Sequence, residues 1–181
     1  MKSLRNTFLL LIAFSIAMGY LESAVVVYLR TIYYPTGFHF PLVALDTPTG
    51  IIEIIREAAT IIMLTMIAFI AAKTKTQRFA YFIFCFAVWD IFYYVFLKIE
   101  TGWPASIFDY DILFLIPVPW TGPVLAPCLV SLTMILFSLL LVFHEDKIVL
   151  RLKNVFQSLP EVSLSFFLFA MILFNMRFQI K

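Results

Sequence analysis

The chain is expected to fold as an all-α polytopic membrane helix bundle. It should have five transmembrane helices (N-terminus inside, C-terminus outside), a Pro-rich interfacial or re-entrant segment and a cytoplasmic amphipathic helix. Three observations predict this. Of 181 residues, 63% are hydrophobic and 13% charged, with a mean hydropathy of +1.00, far from soluble globular usage. Several apolar runs reach the roughly 20 residues that a helix needs to cross a bilayer. The basic residues also divide by side. Lys2, Arg5, Lys73, Lys75, Arg78, Lys147, Arg151 and Lys153 fall at one face of this layout, and Arg30, Lys98, Arg177 and Lys181 at the other. Basic loops stay cytoplasmic, so five spans satisfy the asymmetry, whereas a sixth at residues 105–121 would carry the basic 144–160 segment outside. Residues 1–181 read as one membrane domain, expected in the cytoplasmic (inner) membrane of a bacterium.

The first span, at about 7–30, follows a basic start and is too long for a signal-peptide core. Ser15, Gly19, Glu22 and Ser23 lie at i, i+4, i+7 and i+8, a small-and-polar stripe of the kind that meets another helix. An aromatic loop with Pro35, Gly37 and Pro41 follows, suited to the headgroup layer. Asp46 or Thr47 as N-cap and Pro48 in the first turn start the second span, 49–72. A basic turn leads to the third span, 79–97, where Tyr93 and Tyr94 are placed to donate to Asp90.

Residues 98–127 are irregular: Gly102, Trp103 and Pro104 suggest a short helix, and five later prolines and glycines interrupt it. Asp109 and Asp111, two apart, read as a solvated interfacial pair. A fourth span covers 124–143, the amphipathic helix 144–160, and a short fifth span 162–176. Cys85 and Cys128 sit in apolar runs and form no redox or metal motif.

The candidate site is the charge set inside the spans: Glu22, Glu53, Arg56, Glu57 and Asp90. Glu53, Arg56 and Glu57 fall at i, i+3 and i+4, on one helix face. Intramembrane ionisable groups are costly, face inward, and mark functional sites by default. At about 1.5 Å per residue, Glu22, Glu57 and Asp90 each lie about 10–12 Å below the outer ends of their helices, in one layer. Trp103, Asp109, Asp111 and Trp120 are the expected lid or rim of that layer. Close, desolvated carboxylates repel one another, so one or more should hold a proton or share a cation.

No HExxH, GxSxG or Walker sequence occurs, and two histidines on opposite sides exclude an internal haem-ligand pair. No metal or other cofactor is expected, and a net charge of +2 without a basic block gives no reason to expect nucleic acid. The expected partners are the bilayer and either another membrane subunit or a lipidic small molecule.

Trp89-Asp90, then Gly102-Trp103, then Ile116-Pro117 resembles the short membrane-embedded carotenoid (lycopene) cyclase family over about a fifth of the chain. Where that family carries Pro-x-Glu-Glu, this chain has Pro117, Val118, Pro119 and Trp120. The resemblance implies a carboxylic acid protonating an isoprenoid double bond. The function expected from the residues themselves is a non-catalytic accessory or anchoring subunit with a buried carboxylate/Arg cluster. A small proton- or cation-coupled transporter and an acid-catalysed enzyme on an isoprenoid or lipid are the alternatives.

Overall fold

The structure, a computed structural model, describes residues 2–114 and 120–144. The expected fifth span and all but the first residue of the expected amphipathic helix lie outside them. Four helices are long and apolar enough to cross a membrane: α1 (Lys2–Tyr33), α2 (Thr47–Ala71), α3 (Lys75–Thr101) and α4 (Leu125–Phe143). A two-stranded antiparallel sheet, β1 (Tyr110–Phe114) with β2 (Trp120–Pro123), separates α3 from α4.

The helix boundaries follow from local chemistry. Asp46 accepts a hydrogen bond from the Thr49 N–H and Pro48 occupies the first turn, so α2 starts where those residues predict. Thr74 caps α3 by accepting from the Gln77 N–H, while the Gln77 side chain accepts from the Lys73 N–H. α3 runs a turn beyond its expected end and stops at Gly102, which adopts φ +74° and returns its N–H to the Lys98 carbonyl.

The short helix expected after Gly102 does not form, although the described chain is mostly helical, as expected. Prolines cannot donate to a helical ladder, and the segment closes instead as a hairpin with Asp111 opposite Gly122 and Ile112 opposite Thr121. The Val124 N–H to Asp109 carbonyl bond (2.9 Å) and the Leu125 N–H to Ile107 carbonyl bond (2.8 Å) carry the hairpin into α4.

Two apolar clusters define the arrangement. Leu11 and Met18 of α1 meet Leu64 and Ala68 of α2, Tyr81 to Trp89 of α3, and the C-terminal half of α4. At the other end, Val26 and Val27 join Tyr93, Tyr94, Leu97, Trp103 and Val124. The helices therefore alternate in direction, and α3 is central, packing on α1, α2 and α4. No comparable seam joins α1 to α2. Gly19 lets α1 approach closely: a Cβ there would come within 2.9 Å of the Trp89 carbonyl oxygen.

α2 shows the membrane pattern plainly. Its buried residues are Glu53, Glu57, Thr60, Leu64 and Ala68, while Ile51, Ile52, Ile55, Ile62 and Ile70 are exposed. The polar face is turned inward and the apolar face outward, the reverse of a helix on a soluble core.

Candidate functional site

The space left between α1 and α2 is a cavity of about 500 Å³ at the hairpin end of the bundle. α1 contributes Glu22, Val26, Leu29, Arg30 and Tyr33, a run of i, i+4, i+7, i+8 and i+11 along one face. α2 contributes Glu53, Ile54, Arg56 and Glu57, and α3 contributes Trp89, Asp90 and Tyr93. The chain between α1 and α2 adds Tyr34, Phe38 and Leu42 to Leu45, and β1 adds Asp111 to Leu113. All five charged residues singled out from the spans thus line one cavity.

Arg56 organises the α1–α2 wall. Its Nε donates to Glu53 at 2.8 Å, and its Nη1 donates to Glu22 on α1, so one guanidinium ties the two helices together at the cavity. The Thr60 hydroxyl donates to the Arg56 carbonyl one turn below. Glu57 is 7% exposed and lines the cavity beside this group.

Asp90 accepts a hydrogen bond from the Ser131 hydroxyl of α4 at 2.8 Å. Of the two expected donors, Tyr93 and Tyr94, the first is engaged elsewhere: the Tyr93 hydroxyl donates to Asp111 at 3.1 Å. Trp89, 6% exposed, also lines the cavity, and its Nε1–H has no hydrogen-bond partner among the described residues.

The rim differs most from expectation. Asp111 is not a solvated interfacial residue; it is 2% exposed and accepts from Arg30 at 2.9 Å. The Arg30 guanidinium lies 4.1 Å from the Phe38 ring centroid and 3.9 Å from that of Trp103. Arg30 therefore does not extend to water, as a basic residue at a helix end commonly does. It binds α1 to the aromatic loop, to the segment after α3 and to β1. Burial raises the Asp111 carboxyl above its ordinary range, with Arg30, the Ile112 N–H and Tyr93 pulling it down. Asp109 and Trp103 do not line the cavity. Asp109 accepts from the Ala105 and Ser106 N–H groups and shapes the turn, and Trp103 reaches the site through Arg30 and through an edge contact with Phe38. Trp120 pairs opposite Phe114 in the hairpin.

Arg30, Tyr93, Trp89 and Ser131 were not among the expected site residues. The signal for Arg30 was its eight-residue offset from Glu22, two turns along the same helix. Ser131 carried none, because a hydroxyl in an apolar run is ordinary.

The cavity wall carries five carboxylates (Glu22, Glu53, Glu57, Asp90 and Asp111) against the guanidiniums of Arg30 and Arg56, within a mainly apolar lining. Among the described residues, no group of three or more His, Cys, Asp or Glu converges as a metal site. No protein-family model, curated protein or solved structure matches the chain.

Proposed function

We propose that this multi-pass membrane protein binds a small amphiphilic molecule in the cavity beneath the hairpin, with the buried carboxylates and Arg56 as its polar determinants. The observation that carries the reading is the cavity: about 500 Å³, mostly apolar, with a few convergent charged groups. That size and lining are those of small-molecule sites. Binding is also the step shared by proton- or cation-coupled transport and by acid catalysis on an isoprenoid. The excess of basic residues at the end opposite the hairpin supports an N-terminus in the cytoplasm, with the cavity in the outer half of the bilayer.

Leu29→Trp, which places bulk into the cavity wall, tests the reading. Medium-chain amphiphiles should raise the melting temperature of the wild-type protein in maltoside micelles and leave this variant unmoved. Equal shifts in both would place binding elsewhere.

A second reading, an accessory or anchoring subunit, draws on a different observation: both cavity arginines are held in ion pairs that bind separate elements. It predicts one stoichiometric protein partner on purification and no small-molecule dependence.

A further inference from the structure

We infer that the ligand is an amphiphile with an ammonium head and a neighbouring oxygen acceptor, taken from the bilayer through the gap between α1 and α2. This rests on the binding reading above and assigns its chemical class. The cavity is covered at the hairpin end by the aromatic loop and β1, and α3 stands behind it. α1 and α2 share no packed seam there, which is why the route is assigned between them, and the Arg56–Glu22 pair is the link across it. A ligand using that route needs an apolar body.

Its head is set by charge. The wall carries five carboxylates against two guanidiniums, so acids outnumber bases there; Arg56 pairs with Glu22 and Glu53, and Arg30 donates through Nη2 to Asp111. Buried like charges are costly, and a bound cation relieves them. Asp90 meets Ser131 and lines the cavity beside Trp89, a residue type whose ring attracts an ammonium. The Trp89 Nε1–H, buried without a partner among the described residues, is a donor that a ligand oxygen would satisfy. Ammonium plus adjacent oxygen is the chemistry of a phosphoethanolamine lipid head or of a free long-chain amino alcohol.

The test uses three probes of equal chain length on the full chain in maltoside micelles, read by calorimetric titration. They are 2-aminododecan-1-ol, dodecane-1,2-diol and 2-hydroxydodecanoate. The amino alcohol should bind at least tenfold tighter than either of the others. Asp90→Asn should erase that preference and retain diol binding, which shows the cavity intact. Amino-alcohol and diol affinities that are equal in the wild type would overturn the ammonium assignment and leave the binding reading standing. Preference for the carboxylate would overturn it in favour of the arginines. Binding by none of the three would overturn both.

The source is read by native mass spectrometry from nanodiscs of mixed phosphatidylethanolamine and phosphatidylcholine. Selective retention of phosphatidylethanolamine identifies the lipid head, and capture of added 2-aminododecan-1-ol alone identifies the free amine.

Discussion

Asp46, which caps α2, and Asp111, in the cavity wall, respond to pH in opposite senses. The Tyr33 hydroxyl, then the Thr49 hydroxyl and N–H, hold the Asp46 carboxyl below its ordinary range. Its stabilising contribution is complete above the unfolded value of about 3.9 and is lost as pH falls through the lowered native value. Asp46→Asn should therefore flatten the acid-side loss of thermal stability; an unchanged acid slope would show that the cap contributes nothing. Asp111 is raised by burial, so its contribution is greatest below about pH 3.9 and declines as pH rises through the native value. Removing the carboxylate outright is a different matter, since it strands Arg30, whose side chain is 11% exposed. Asp111→Ala and Asp111→Asn both remove the charge paired with Arg30, so each should cost about 3–5 kcal/mol, the amide somewhat less because it keeps an acceptor for Tyr93. Chemical denaturation in mixed micelles measures both, and an Asp111→Asn variant as stable as wild type would refute the ion-pair account. The burial of Asp111 was not legible in the chain, because its partner lies 81 residues away and no periodicity links a helix end to a strand.

At the scale of elements, two glycines separate space from conformation. A Cβ on Gly19 would sit 2.9 Å from the Trp89 carbonyl, 3.0 Å from the Phe92 Cβ and 3.1 Å from the Tyr93 nitrogen. Gly19→Leu should force α1 and α3 apart and cost about 1–3 kcal/mol, read as lost melting temperature. Gly102 has open space around it but needs its left-handed φ of +74°, so Gly102→Ala should cost only about 1–2 kcal/mol. If Gly102→Ala proves the worse of the two, close packing is not what holds α1 to α3. The small-residue stripe on α1 and the inward charges of α2 could be read from spacing alone, since helical geometry fixes which residues share a face. The hairpin could not. Proline-rich apolar sequence excludes a helix without choosing among its replacements, and strand pairing depends on residues far along the chain.

For the molecule as a whole, the number of described spanning helices and their alternation define two ends, and the basic residues predict which is cytoplasmic. With Cys85 and Cys128 replaced by serine, Thr36→Cys should react with an impermeant maleimide from outside intact cells, and Lys75→Cys only after lysis. The reverse pattern would invert the orientation. The coarse architecture was legible because lipid demands long apolar helices, and the convergence of Glu22, Glu53, Arg56, Glu57 and Asp90 because their depths matched. The cage around Arg30 was not legible, since it joins four segments that only tertiary structure assembles. The separation of the charge partners also sets a timetable for synthesis. Arg56 leaves the ribosome three residues after its own counter-ion Glu53 and long after Glu22, so the Glu53–Arg56 pair can form within α2 as it is made. Arg30 must wait 81 residues for Asp111, about 4–16 s at roughly 5–20 residues per second. Until then its charge belongs at the water boundary, and the end of α1 can settle against β1 only after α2 and α3 have been translated.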